Sequence, residues 1–318
     1  MLITTDVDKA VALLATSGLC AIPTETVYGL AANAMDEAAV ARVFAAKGRP
    51  QYHPLIIHVS KVADVDLWIK ELPTWAATLA NAVWPGPLTL VGFRTELASD
   101  LVTGGQDTVA VRVPNHATAN ELLTKLHAAG ILGLVAPSAN QFGQVSPTSA
   151  KHVANDLGDY LSSHGDLILD GGECAVGIES TIVLATGSQP VILRPGAISA
   201  SDIKQITGLE VAERTSGSPR VSGDLDSHYS PRADVVLVTE DQLPSTTGPA
   251  GLIALNHVLA PASLTRLSSP DNLAEFARTL YAALRSGDDQ NLSRIYVVPP
   301  VGEGISAAIN DRLGRAAF

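Results

Sequence analysis

One stretch constrains the fold more than any other, residues 22 to 59, IPTETVYGLAANAMDEAAVARVFAAKGRPQYHPLIIHV. It continues the apolar run Leu19-Cys20-Ala21-Ile22, the pattern of a short buried strand. Pro23 ends that ladder, because it has no N–H to donate. Thr24, Thr26 and Tyr28 then place three hydroxyls within five residues. Residues 36 to 46 have helical periodicity, with Val40, Val43 and Phe44 on one face. Gly and Pro in Lys47-Gly48-Arg49-Pro50 break that helix. His53-Pro54 leads into a second apolar run, Leu55-Ile56-Ile57-His58-Val59. The order is strand, hydroxyl-rich turn, helix, cationic loop, strand, which points to an α/β fold. The loop suits an anionic ligand, with hydroxyls nearby to orient it. Lys-Gly-Arg is equally what a solvated helix end carries, since the helix dipole favours cations there. This stretch alone leaves both readings open.

The rest of the first two hundred residues alternates in the same way. Residues 6 to 17 predict a helix capped by Asp6, and residues 61 to 82 a helical segment broken at Pro73. Trp84-Pro85-Gly86-Pro87 is a rigid turn into the strand Leu88-Thr89-Leu90-Val91. Residues 108 to 113 alternate cleanly: Val109, Val111 and Val113 share one face, Thr108, Ala110 and Arg112 the other. An arginine in an apolar strand is costly to bury unless it meets an anion. That anion is a carboxylate of the protein or a ligand carboxylate held bidentately, unless the strand lies at an edge. A shared face predicts that Thr108 and Arg112 line one pocket. A helix is expected over residues 118 to 129. The apolar run 131 to 136 then ends in Pro137-Ser138-Ala139-Asn140, beyond a strand's carboxyl end, where open α/β sheets hold ligands. Ser and Asn are also ordinary turn residues. Ser146-Pro147-Thr148 has the pattern of an N-cap with Pro at the first position of a helix reaching about Asn155, whose N-terminus would attract an anion. Strands are expected at 167 to 169, 182 to 184 and 191 to 193, the last running into Arg194-Pro195-Gly196. Ser201-Asp202 would cap a short helix through Ile206.

Residues 213 to 232, ERTSGSPRVSGDLDSHYSPR, lose all periodicity and read as a linker or an active-site cover. Strand-like runs at 235 to 238, 252 to 255 and 295 to 298 then alternate with helices at 273 to 285 and from about 306. This is a small α/β domain with a parallel sheet. Two domains suit 318 residues, and 46% hydrophobic content supplies their cores. The formal charge of −11 gives no broad basic face for nucleic acid. Cys20 and Cys174 both sit beside apolar residues, so neither a disulfide framework nor a zinc site is expected. The first residues lack a leader pattern, and no apolar run approaches the ~18 residues of a membrane span, so a cytoplasmic protein with no membrane contact is expected. The chain has no Walker loop, no H-E-x-x-H and no nucleophile elbow; Gly302-x-Gly304 lacks the third glycine of a dinucleotide fingerprint. Chemistry would therefore run by positioning and charge stabilisation. Lys47, Arg49, Arg112 and Arg194, with Thr24, Thr26, Ser138, Asn140, Ser146 and Ser180, match a triphosphate and a small zwitterion.

In order along residues 10 to 200, PTETVYGL, KGRP, HPLIIHV, WPGPLTL, VAVRVP, APSAN, SPT, GIESTIV and LRPGAI resemble the YrdC-like family of threonylcarbamoyl-adenylate synthases. The tail beyond residue 230 resembles the extra C-terminal domain of its longer members. The resemblance implies a YrdC-like twisted mixed sheet with helices over residues 1–207, a linker over 208–233 and a small Rossmann-like α/β domain over 234–318. It implies an enzyme that joins L-threonine, bicarbonate and ATP, releases pyrophosphate, and passes its product to a tRNA threonylcarbamoyl transferase acting beside the anticodon. A weak RNA contact could accompany that step. Mg²⁺ would be held mainly through ATP phosphates, with no protein metal site. Threonine would be held by Thr24 or Thr26, His58, Ser138, Ser180 and Arg112, the last on its carboxylate. ATP would be held by Lys47, Arg49, His53, Thr108, Asn140, Ser146 or Thr148, and Arg194, with Lys47 and Arg49 catalytic. His53 departs from the family, where Asn or another small polar residue is common. His228-Tyr229-Ser230-Pro231 is similar to the family's H-Y-x-P, and Tyr229 would stack on or hydrogen-bond to the nucleotide. Two other functions compete. One is a carbamoyl-adenylate former of the hydrogenase-maturation type, whose acylphosphatase and zinc-finger regions are not seen here. The other is a double-stranded-RNA or ribosome-binding protein, which the negative charge opposes.

Overall fold

The structure, a computed structural model, describes residues 2–223, 229–244 and 249–318. Its strands are β1 (Ile3–Thr4), β2 (Cys20–Ile22), β3 (Gly29–Asn33), β4 (Ile56–His58), β5 (Leu88–Phe93), β6 (Thr108–Arg112), β7 (Leu134–Val135), β8 (Leu167–Leu169), β9 (Thr181–Leu184) and β10 (Val191–Arg194), then β11 (Asp234–Leu237), β12 (Ala250–Ile253), β13 (Thr265–Ser268) and β14 (Arg294–Val297). The helices are α1 (Val7–Leu14), α2 (Glu37–Lys47), α3 (Thr74–Val83), α4 (Asp100–Thr103), α5 (Ala117–Ala128), α6 (Ala150–His164), α7 (Ala200–Thr207), α8 (Leu273–Asp289) and α9 (Ser306–Ala316). Among the described residues the strands form a ten-stranded mixed sheet, ordered β1-β8-β2-β3-β7-β4-β6-β5-β9-β10, and a four-stranded sheet, β11-β14-β12-β13. Every pairing in the smaller sheet is parallel, although β12 and β13 follow each other with no helix between them and only α8 separates β13 from β14.

Local chemistry explains the element that carries the cationic loop. Asp36 accepts hydrogen bonds from the N–H groups of Ala38 and Ala39 and opens α2. Ala39, Val40, Val43 and Phe44 face the core. Gly48 ends the helix in the left-handed conformation, φ 61°, which costs glycine nothing and turns the chain towards the sheet. Parallel pairing of β4 with β6 then sets His58 beside Arg112.

Three local expectations need correction. Ser146 does not cap α6. Ser149 does, accepting from the N–H of His152, and the helix runs on to His164. The Pro147 carbonyl instead accepts the N–H of Tyr28, which places residues 146 to 148 against the hydroxyl-rich turn. Helix α7 is capped by Ser199, with Asp202 closing a capping box, not by Ser201. Only Leu134 and Val135 of the 131 to 136 run pair in the sheet.

Two apolar cores matter for the site. The larger lies against the ten-stranded sheet and includes Tyr28, Val43, Phe44, Val111 and Trp68. The second is shared: Val27, Val145, Ile178 and Tyr229 pack with Phe276, Leu280, Tyr281, Ile309 and Leu313 of the C-terminal part. Cys20 and Cys174 are free and buried, and burial pushes each thiol up to about 12. No helix among the described residues is long and apolar enough to cross a membrane.

Candidate active site

A cleft of about 620 Å³, counting its open mouth, lies where β4, β6 and the turn after β2 meet residues 137 to 143. At its floor the Thr24 hydroxyl accepts the N–H groups of Thr26 and Val27, each at 3.2 Å, and lies 2.9 Å from the Thr26 hydroxyl. Thr24 therefore shapes the turn, and Thr26 is presented to Arg112, whose Nη1 donates to it at 2.8 Å. Arg112 Nη2 forms an ion pair with Glu25 at 2.7 Å, though neither Glu25 oxygen accepts a well-aligned hydrogen bond. At this distance, with both residues under a tenth exposed, the two charges are paired away from water. Arg112 Nε has no hydrogen-bond partner among the described residues. A buried donor left unmatched is expensive, and a ligand carboxylate satisfies it. His58 is buried beside Arg112, with Nδ1 3.2 Å from the Ile56 carbonyl oxygen. Burial, and then the Arg112 charge, push its pKa down to about 3, so the imidazole is neutral at physiological pH.

Three cations define the opposite wall. Lys47 Nζ donates to the carbonyls of Ser138 and Asn140, each at 2.5 Å, and burial followed by the Arg49 charge holds its pKa well below the ordinary lysine range. Arg49 Nη2 donates to the Pro54 carbonyl at 3.0 Å and the Ser222 hydroxyl at 3.2 Å, while Nε has no hydrogen-bond partner among the described residues. Burial lowers the Arg49 pKa to about 10. Arg194 Nη2 donates to the Ser180 carbonyl at 3.0 Å and its hydroxyl at 3.2 Å, and Nη1 to the Ser222 carbonyl at 2.9 Å. These groups are held mostly by carbonyl dipoles, which orient a cation without cancelling its charge. The arrangement suits phosphate oxygens.

Glu179 is the carboxylate in the wall, and it is fully engaged. Its Oε1 accepts from Ser146 at 2.6 Å, and its Oε2 from Tyr281 at 2.8 Å and Arg312 at 2.9 Å. Burial pushes its pKa up, but the charges of Arg312 and Arg194 and the Ser146 hydrogen bond outweigh burial and hold it at about 2. Asn140 donates to the carbonyls of Gln141 and Gln144, leaving its buried Oδ1 without a hydrogen-bond partner among the described residues. Among the described residues no group of three or more His, Cys, Asp or Glu side chains is placed to hold a metal ion. Tyr229 lines the cleft, packed on Tyr281 at 5.6 Å between ring centroids with the Arg312 guanidinium 5.2 Å from its own. His228 lies outside the described residues.

The structure thus brings Thr24, Thr26, Lys47, Arg49, His58, Arg112, Ser138, Asn140, Ser180, Arg194 and Tyr229 to one cleft. Four expected contacts do not line it. Thr108 shares the face of Arg112 but sits four residues, roughly 13 Å, along the strand, and faces a smaller neighbouring cavity with Pro54, Ala110 and Ser222. His53 lies between the rings of Tyr52 and Phe142, at 4.6 and 5.3 Å, and supports the wall from behind. Ser146 is spent on Glu179, and the Thr148 hydroxyl sits 3.3 Å from His152 Nδ1. Glu25, Phe142, Glu179, Ser222 and Gly223 were not anticipated. Glu25 and Glu179 lie inside motifs quoted above, each next to a hydroxyl residue that was. Ser222 and Gly223 fall in the aperiodic segment, where no pattern points to them.

The Sua5/YciO/YrdC model, described as telomere recombination, matches residues 12–196, and the model for the threonylcarbamoyl-AMP synthase C-terminal domain matches residues 198–318. The chain belongs to the Sua5/YciO/YrdC family. Its similarity extends over both parts. The threonylcarbamoyl-AMP synthase of Pyrococcus abyssi is 38% identical over 94% of this chain and 90% of its own length. That of Bacillus subtilis is 34% identical over 97% and 92%. The crystal structure of P. abyssi Sua5 complexed with L-threonine superposes with a TM-score of 0.86 at 36% identity, covering 98% of this chain and 94% of that one. This two-part coverage is what sets the chain apart from the hydrogenase-maturation alternative.

Proposed function

We infer that this Sua5/YciO/YrdC family member is an L-threonylcarbamoyl-adenylate synthase. The observation that carries the reading is one cleft with an arginine–hydroxyl end, Arg112 and Thr26, facing three buried cations, Lys47, Arg49 and Arg194. Threonine binds at the first end. Its carboxylate takes the unmatched Arg112 Nε, and Thr24, Thr26, Ser138 and Ser180 hold its polar groups. Neutral His58 adds no charge that would compete for that carboxylate. The threonine ammonium gives a proton to bicarbonate, which breaks down to carbon dioxide and water; the neutral amine's lone pair then captures the carbon dioxide and releases a second proton to solvent, forming a carbamate. A carbamate oxygen attacks the α-phosphorus of ATP, and the bond to pyrophosphate breaks. Lys47, Arg49 and Arg194 face the charge that grows on the leaving group. The triphosphate also carries Mg²⁺, which neutralises phosphate charge. With Glu179 fully engaged, Asn140 Oδ1 is the protein oxygen best placed to meet that ion or the nucleotide.

Tyr229 walls the nucleotide end, and the linker around it covers the labile anhydride. Residues 1–207 carry the chemistry and 234–318 complete the molecule. The product is then handed, in the cytoplasm, to a tRNA threonylcarbamoyl transferase, with at most a weak RNA contact. Incubation with ATP, isotope-labelled bicarbonate and single amino acids tests the assignment. Mass spectrometry should find the label in threonylcarbamoyl-adenylate with L-threonine and far less adduct with alanine. Equal adducts from both amino acids would refute threonine as the substrate.

A further inference from the structure

One carboxylate of the cleft wall, Glu179, is held by side chains 102 and 133 residues away from it in sequence. Arg312 of α9 is 1% exposed, and Tyr281 of α8 is buried outright. Both reach Glu179 Oε2, and Arg312 Nη2 also donates to the carbonyl of Pro195 at 3.0 Å. Arg312 therefore grips the two chain segments that meet at the phosphate end of the cleft. Glu179 precedes Ser180, whose carbonyl and hydroxyl hold Arg194, and Pro195 follows Arg194. Of this set only Ser180 is also assigned to threonine; Arg312, Tyr281 and Glu179 are not, and Arg112 has its own carboxylate in Glu25.

We propose that Arg312 and Tyr281 are positioning residues for the phosphate-binding end: by engaging Glu179, they keep that carboxylate off Arg194 and leave Arg194 to the nucleotide. The physical argument is one of competing partners. A buried carboxylate pairs with the best available cation. Glu179 lies close enough to Arg194 for each charge to bias the other's protonation. Removing Arg312 leaves Arg194 as the remaining guanidinium for Glu179, and an arginine turned to a protein carboxylate is lost to a phosphate. Removing the Tyr281 hydroxyl loosens the same carboxylate more gently. The C-terminal part thus acts on the chemistry without touching substrate. This proposal rests on the assignment of Lys47, Arg49 and Arg194 to triphosphate.

Tyr281→Phe, which keeps the ring packing, and Arg312→Lys, which keeps the charge but loses the second grip, are the first variants. Titration of the full chain with a non-hydrolysable ATP analogue and with inorganic triphosphate reads the phosphate end directly, whether or not turnover occurs. Tyr281→Phe should weaken both ligands roughly five-fold and Arg312→Lys roughly ten-fold or more, with threonine affinity unchanged. Arg312→Gln should be worse than Arg312→Lys. Glu179→Gln added to Arg312→Gln should recover part of the triphosphate binding, because the competitor for Arg194 is gone. Unchanged triphosphate binding in folded Tyr281→Phe and Arg312→Lys, or an equal loss of threonine, would overturn the positioning role. A wild type that binds triphosphate but forms no adduct would overturn the function and leave this role standing. A wild type that binds no triphosphate would overturn both.

Discussion

A charge buried in an apolar strand announces a partner, and that logic made Arg112 legible from sequence. Its partner is a protein carboxylate, Glu25, and its Nε, without a hydrogen-bond partner among the described residues, is the donor that the proposed threonine carboxylate would take. Arg112→Lys keeps the charge and loses the fork. Titration should show threonine binding weakened roughly ten-fold or more with ATP binding nearly intact. A lower melting temperature with unchanged threonine affinity would mean that Arg112 only braces the fold. Lys47→Ala combined with Arg49→Ala should cost on the order of 10²-fold or more in turnover. Near-normal turnover would return that loop to a mere helix end. The imidazoles add a pH dependence. Burial lowers the pKa of His58 to about 3 and of His152 to about 4, against 6.5 ordinarily. The unfolded chain therefore binds protons that the folded chain refuses. The contribution of these groups to stability is full above 6.5 and is lost as pH falls through the acid range. Glu179, held at about 2 against an ordinary 4.5, loses its contribution lower still. Urea midpoints should fall as pH drops below 6.5, and His58→Asn should reduce that slope. A flat midpoint would contradict a buried neutral His58. Thr108 shows the limit of reading residues singly: a shared strand face says nothing about distance along the strand.

At the scale of elements, periodicity located most helices and strands, and capping chemistry located their ends only where one candidate stood alone. Asp6 had no rival and caps α1. Ser146 and Ser149 both precede the first turn of α6, and long-range bonds decided between them: Glu179 claims Ser146 and Tyr28 claims the Pro147 carbonyl. The strand β3 went unnoticed because GLAAN has neither alternation nor branched residues, and the neighbours β2 and β7 hold it in the sheet. The linker was legible as an exception, since about twenty residues without periodicity call for a reason. Tyr229 has one: it walls the cleft with a left-handed backbone, φ 62°. If the linker covers the site, ATP with threonine should protect residues 215 to 232 from proteolysis. Tyr229→Ala should then lower product yield more than ATP consumption, because the anhydride leaks and hydrolyses. Identical cleavage with and without ligands, together with unchanged coupling, would leave the segment a tether.

For the whole molecule, two α/β units with different sheets were readable from the alternation of runs, but their joint was not. The second apolar core draws residues from both, and the contact of Arg312 with Glu179 spans 133 positions. No local pattern records such a pairing. The proposed chemistry rests on that assembly: an arginine–hydroxyl end assigned to the threonine carboxylate, a cationic end assigned to phosphate, and a wall that the C-terminal part braces. On that proposal both ends must be filled for the reaction to proceed. The most direct measurement is pyrophosphate release from ATP by the full chain, with threonine and bicarbonate supplied separately and together. Release should require both, and should fall to background when either is withheld. Equal release without threonine, or with alanine in its place, would contradict the account.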